Sequence, residues 1–357
     1  MNFYIRNYFW LRNLKWILIA FLFIKLLGIF IGILFYQTVL ASNTAFDGAS
    51  IEIFIDQDDD LDSLNLKLVP HLKSTKTFNR LAKFKSYGES IKPGRFLIST
   101  SSSNNRIINT LRSRGTPIKV VFNNQERIEN LVGRISNQLM IDSLSLLEHM
   151  TNPDIIDKMG FTLENALAMF IPNTYELYWE SDANTFLNRM YHEYRQFWNQ
   201  ERQEKARTLG LSPIEVVILA SIVHKETVKV DEMPQVAGVY LERLKRNMKL
   251  QADPTIIFTI KKHSGDFDKV IKRVLYRDLE IDLPYNTYLY GGLPPGPIIT
   301  PSISSIDAVL NPKTEGYLYF VADVGNPGYH KFAKTLSQHN RNRAKYIRWI
   351  NSKGIKR

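Results

Sequence analysis

The chain has 357 residues, 44% hydrophobic and 23% charged, a balance that fits a folded protein of about two domains and excludes a disordered one. It contains no cysteine, which rules out disulfides, thiolate metal sites and cysteine nucleophiles. The net charge is +11; Arg6, Arg12, Lys15 and Lys25 supply four of those charges, and the remaining +7 favours anionic lipid or anionic polymer as a partner.

The 21 residues from Trp16 to Tyr36 are interrupted by one charge, Lys25, and are long enough to cross a bilayer as a helix. Basic residues precede this run, and no Lys or Arg follows until Lys67. The positive-inside rule then keeps the N-terminus in the cytoplasm and exports the body. Residues 1–36 read as a cytoplasmic tail and transmembrane anchor in the inner (cytoplasmic) membrane. A cleaved signal peptide ending at Val39-Leu40-Ala41 is the alternative, but the apolar run is longer than a usual signal core. An exported body argues against nucleic acid as a partner.

Residues 37–50, rich in Ser, Ala, Asn and Thr, read as a linker. A small α/β module follows over 51–125. Strands are predicted at 51–55, 94–99 and 118–122, and helices near 60–68, 76–85 and 105–113. The acidic run Asp56, Asp58, Asp59, Asp60 and Asp62 lacks the Gly and Glu of a calcium loop and reads as a solvated helix start. No metal or cofactor is expected.

Residues 126–351 form a larger, mainly helical domain, before a basic tail at 352–357. Its first half is broken by a loop at 170–175, whose Tyr175 sits in a composition found in sugar-binding clefts or, equally, in a core. Ser212, Pro213 and Glu215 make a capping box that opens a helix. From Val216 to Val223 only Ser221 is polar, and Leu219, Ile222 and Val223 put Glu226 on an apolar stripe. Desolvation there would raise its pKa, as a general acid requires; the plain alternative is a helix-end Glu paired with Lys225 or Lys229.

A second helix is expected over 234–248, ending beside the polar cluster Gln251, Asp253 and Thr255. The loop Pro284–Ser302 holds five Pro, three Gly and three Tyr, a composition suited to a loop of fixed shape. A strand at 316–323, its hairpin partner at 329–334 and a helix over 337–350 close the chain; Arg341, Arg343, Lys345 and Arg348 read as a solvated basic face. The fold class is thus α+β.

The strings ASIVHKET (220–227), LQADPTIIF (250–258), YNTY (285–288), GLPPGPI (292–298), YLYFVAD (317–323) and HKFAKTLSQHN (330–340) resemble, in order and spacing, the YceG-like endolytic murein transglycosylases. The resemblance covers residues 45–350. It implies a membrane anchor, a LysM-like module and a catalytic domain facing the cell wall, possible synthase partners, and Glu226 as the catalytic acid. It also implies that Gln251, Asp253, Thr255, Tyr285, Asn286 and Tyr288 line a glycan cleft, and it marks Glu232, Pro294, Gly296, His330 and Asn340 as recurring positions. The chain departs from the pattern at His224 and at Leu167-Ala168.

The reaction implied is cleavage of the bond between muramic acid and glucosamine in peptidoglycan strands, leaving a 1,6-anhydro end and limiting strand elongation. Two other readings stay open: a hydrolytic muramidase using Glu226 with Asp253, and a non-catalytic, membrane-tethered wall-binding scaffold.

Overall fold

The computed structural model describes the backbone of residues 2–352 and the side chains of residues 14–352. The side chains of Arg6 and Arg12 and the tail from 353 to 357, named above, lie outside the described residues. The chain divides into two units, Met1–Ile118 with Glu176–Glu180, and Lys119–Tyr175 with Ser181–Arg357.

The first unit begins with helix α1, Asn2–Phe35. The stretch Leu14–Leu40 is a candidate membrane span of 27 residues with a mean hydropathy of 2.9, and its side chains are exposed up to Gln37. At about 1.5 Å per residue it exceeds the roughly 30 Å of a hydrocarbon core.

Residues 37–50, expected as a linker, are pinned to the unit. The backbone turns through Tyr36–Leu40, and the buried Thr38 carbonyl accepts from Asn104 Nδ2 at 2.9 Å. Asn104 Oδ1 accepts from Asn43 Nδ2 at 2.6 Å, and the Asn43 amide brackets the backbone of Ser74, accepting from its N–H at 2.8 Å and donating to its carbonyl at 2.9 Å. Side-chain amides here satisfy buried peptide groups as a third strand would.

The remainder of the unit is β1 (Ser50–Ile55), α2 (Leu61–Leu68), α3 (Thr75–Phe84), β2 (Gly94–Ser99) and α4 (Asn104–Arg112). Strands β1 and β2 pair antiparallel with Ile53 opposite Phe96. The alternation of Ile53, Ile55, Phe96 and Ile98 turns one face of the sheet onto Leu64, Phe78, Leu81, Ile107 and Leu111. The acidic run has internal uses: Asp60 caps α2 by accepting from Ser63 N at 2.8 Å, and Lys67 pairs with Asp56 and Asp59.

The second unit contains β3 (Ile118–Phe122) from its second residue, α5 (Ile128–Ser136), α6 (Ser143–Thr151), α7 (Pro153–Lys158), β4 (Asn173–Leu177) as far as Tyr175, α8 (Ala183–Phe197) and α9 (Gln200–Thr208). It continues with α10 (Pro213–Glu226), α11 (Met233–Lys245), α12 (Asp253–Ser264), α13 (Ile303–Leu310), β5 (Tyr319–Ala322), β6 (His330–Ala333) and α14 (Leu336–Ser352). Part of the expected loop at 170–175 is strand: β3 and β4 form a two-stranded sheet, with Tyr175 buried and stacked 5.4 Å from Phe122. Helix α10 is central and packs against α11, α12 and α13. Strands β5 and β6 make the expected hairpin. In the Pro-rich loop, a Cβ on Gly296 would fall 1.8 Å from the Glu164 carbonyl oxygen, so only glycine permits this approach.

Candidate functional site

Helix α10 starts with the full capping box: Ser212 Oγ accepts from Glu215 N at 3.2 Å, and Glu215 Oε2 accepts from Ser212 N at 2.7 Å. Residues Val216–Val223 are all buried. Ser221 is satisfied within the core, donating to the Ile218 carbonyl at 2.7 Å and accepting from Ile298 N at 3.1 Å. Glu226 is the last residue of this helix, on the wall of a cavity of about 710 Å³ in the second unit.

Neither neighbouring lysine pairs with it. Lys225 reaches Glu126 at 2.7 Å, and Lys229 sits 5.1 Å from the Tyr329 ring centroid. The partner of Glu226 is the buried Tyr240 on α11, whose hydroxyl donates to Oε1 at 2.5 Å. The residue keeps partial exposure to the cavity, but its carboxyl group is enclosed by protein. That burial pushes the pKa up to about 7; the Tyr240 bond pulls it back and the nearby Asp253 charge raises it further. Near neutral pH, Glu226 can therefore carry a proton or give one up.

Asp253 opens α12 and accepts from the Tyr288 hydroxyl at 2.6 Å, and burial and the Asp253 bond push that hydroxyl's pKa upward. Gln251 stands in the left-handed region at φ 50°, with its N–H donating to the Thr287 carbonyl at 3.1 Å. Arg243, one turn beyond Tyr240 on α11, donates to the Leu250 carbonyl at 2.5 Å. The structure thus brings Glu226, Gln251, Asp253 and Tyr288 to one cavity, together with Tyr240 and Arg243.

The other expected cleft residues are buried supports and do not line the cavity. Thr255 hydroxyl donates to the Ala252 carbonyl at 2.7 Å and meets Thr287 Oγ1 at 2.8 Å, fixing the turn that carries Gln251. Asn286 Nδ2 donates to the carbonyls of Leu279 and Ile281, and its Oδ1 accepts from Tyr288 N at 2.9 Å. Tyr285 packs 4.7 Å from Phe258, and Tyr175 donates to the Ile171 carbonyl at 2.5 Å. Each holds a backbone segment instead of offering a face to the cavity.

Glu232 and His330, ninety-eight residues apart, form a pair: the buried carboxylate accepts from His330 N at 2.6 Å and lies 2.9 Å from its Nδ1. The His330 ring packs against Phe320, which meets Tyr240 edge-on at 5.8 Å. Asn340 is exposed, and Pro294 is buried beside Gly296. His224 lies 3.3 Å from Ser302 Oγ, with its pKa lowered by burial and by Lys225. Leu167 and Ala168 are buried in a short turn, Ala166–Met169.

Sequence reasoning missed Tyr240, Arg243, Tyr319, His339 and Arg343 as cavity residues. Tyr240 falls among the apolar positions Val236 and Val239 of the helix expected over 234–248, and Arg343 on a basic face, so periodicity assigns the first to core and the second to solvent.

The YceG-like family model matches residues 53–345. The chain belongs to the YceG-like family. The endolytic murein transglycosylase of Bacillus subtilis strain 168 is 42% identical over 138 residues, 39% of this chain and 36% of that protein. Its counterpart in Streptococcus pneumoniae D39 is 34% identical over 141 residues, 40% of this chain and 25% of that protein. The match thus spans little more than a third of these relatives' length, or less. A crystal structure of a yceG-like protein from Listeria monocytogenes superimposes with a TM-score of 0.54 at 24% identity, covering 82% of this chain and 98% of that one, which extends the shared fold beyond those segments.

Proposed function

We propose that the chain is a membrane-anchored lytic transglycosylase that cleaves the bond between muramic acid and glucosamine in nascent peptidoglycan strands. The observation carrying this reading is Glu226: a single carboxyl group held near a pKa of 7 by burial, on a tyrosine hydroxyl, in a cavity wide enough for sugar rings. The two bacterial relatives, both endolytic murein transglycosylases by name, support the substrate class.

In this reading the Glu226 proton passes to the glycosidic oxygen as its bond to the muramic anomeric carbon breaks. The C6 hydroxyl of the same sugar closes on that carbon, and Glu226 takes the hydroxyl proton. The ends produced are a 1,6-anhydro sugar and a free glucosamine hydroxyl, with no water consumed. An intramolecular nucleophile supplies the effective concentration that makes a second catalytic carboxylate unnecessary. Gln251, Asp253 and Tyr288 contact the glycan, with Thr255, Tyr285, Asn286 and Tyr175 supporting them.

Residues 51–125 are assigned as a LysM-like wall-binding module and 126–351 as the catalytic domain. Residues 1–36 anchor the chain once in the cytoplasmic membrane with the N-terminus inside, and peptidoglycan synthases are candidate neighbours. Asp253 in the same cavity, raising the Glu226 pKa, favours a muramidase as the second reading.

The deciding experiment digests purified wall with the full chain and weighs the fragments. Anhydro ends support the proposal, reducing ends (heavier by one water) support the muramidase, and intact strands that stay bound support a scaffold.

A further inference from the structure

The Glu226 cavity carries a second group of side chains that the cleavage step leaves unused. Arg243 is 8% exposed, and its guanidinium lies 5.3 Å from the Tyr319 ring centroid. His339 stacks on the same ring at 5.3 Å. Arg343, four residues after His339 on α14, lines the cavity beside them.

The two arginines have no internal counter-ion, and His339 stands beside them as a neutral hydrogen-bonding ring. Among the described residues no carboxylate pairs with Arg243 or Arg343, and burial lowers the Arg243 pKa from its ordinary value. Arg243 uses its donors on the Leu250 carbonyl and weakly on Gln251 Oε1 at 3.4 Å, while its Nε has no partner; buried His339 Nδ1 has none either. Burial and the two arginines lower the His339 pKa, as expected where positive charge is gathered without an acid. A buried guanidinium with spare donors and no anion is costly in an empty site, and its fork geometry matches a carboxylate.

The position fixes what it would recognise. Arg243 is three residues after Tyr240 on α11, so it sits about 4.5 Å further along the helix from the residue that holds Glu226. A group bound there hangs from the sugar whose glycosidic bond faces Glu226, or from its immediate neighbour.

We infer that Arg243, Arg343 and His339 form a carboxylate subsite, which selects strands whose muramic residues carry an acidic group over uncharged glycans. This rests on the glycan-cleaving reading above. Two sources present that chemistry: the lactyl carboxylate of a muramic acid without its peptide, and the carboxylates of an attached peptide stem.

The test measures binding by the full chain in nanodiscs, carrying Glu226→Gln so that strands stay intact. Three probes of equal length are compared: strands with stems removed by an amidase, strands with stems, and chitin oligosaccharide, which has no carboxylate. The expected result is affinity about tenfold or more tighter for one or both acidic probes than for chitin, weakening with salt. Preference for the stripped strands assigns the lactyl group, preference for stem-bearing strands assigns the stem, and equal affinity for both assigns the shared carboxylate.

Arg343→Gln, at an exposed position, should reduce that preference about fivefold or more. Equal affinity for all three probes, or a preference untouched by both Arg343→Gln and Arg243→Lys, overturns the subsite while leaving the glycan reading standing. Binding to none of them overturns both.

Discussion

The Tyr240 hydroxyl donates to Glu226 Oε1 at 2.5 Å, joining residues fourteen apart on two successive helices. The bond works against burial: enclosure favours the protonated acid, whereas the hydroxyl favours the carboxylate. Their balance, near 7, leaves both forms accessible to a group that gives a proton and then recovers one.

Glu226→Gln should lower strand cleavage by about 10²- to 10⁴-fold, the range associated with a lost general acid. Its circular dichroism spectrum should match the parent's, because the amide fills the same space. Wild-type release of anhydro fragments by this variant would remove Glu226 from the mechanism.

Tyr240→Phe removes the bond that pulls the Glu226 pKa down, so that pKa should rise. The reaction begins from the protonated acid, and kcat/KM falls as pH climbs through the Glu226 pKa. The alkaline limb of the rate profile should therefore move to higher pH in the variant. A limb that stays in place would separate Tyr240 from the ionisation of Glu226.

The same shift enters stability. Glu226 binds its proton more tightly in the fold, at about 7, than at its ordinary value of 4.5, so the parent should lose stability as pH rises between those values and level off above. The full span corresponds to an upper limit near 3 kcal/mol. Urea unfolding of the parent and Glu226→Gln from pH 4 to 8 should show the variant gaining on the parent across that window; parallel curves would contradict the burial of the carboxyl group.

Gly296→Ala should destabilise the protein by roughly 2 kcal/mol or more, since the new Cβ meets the Glu164 carbonyl at 1.8 Å and the Tyr285 hydroxyl at 2.9 Å. Thermal denaturation reads this directly, and an unchanged midpoint would mean that the loop yields freely.

Much of this site could be read in the residues, and the reasons differ from one to the next. Ser212 and Glu215 identify the start of α10 because a capping box is local, and the Leu219, Ile222 and Val223 stripe identifies the face of Glu226 because helical periodicity is local too. Tyr240 as a partner was hidden, since no periodicity encodes which residue of one helix reaches the end of another. Strand β4 was hidden for a related reason: its partner β3 lies about fifty residues earlier, and a short run such as Thr174–Leu177 becomes strand only by pairing. Thr255 and Asn286 were recognised as positions that matter, but their use in fixing backbone depends on carbonyls that only the folded loops bring near.

Asn104→Ala should destabilise the first unit by about 1–3 kcal/mol, by stranding the buried Thr38 carbonyl and removing one of the two bonds that the Asn43 amide donates. A chain shortened to begin after residue 43 should show a similar loss, whereas one beginning at Tyr36 should not. Equal melting of the two shortened chains would show that the seam contributes nothing.

That seam has a mechanical meaning. A domain on a loose leash wanders through the volume its linker permits, whatever the membrane helix does. Here the candidate span runs directly into Thr38, Asn104, Asn43 and Ser74, with no slack chain between the apolar helix and the fold. With the candidate span seated in a bilayer, as proposed, tilt or rotation of the span would be carried into the β1–β2 unit as torque, and bilayer thickness and curvature would become inputs to where that unit stands above the membrane.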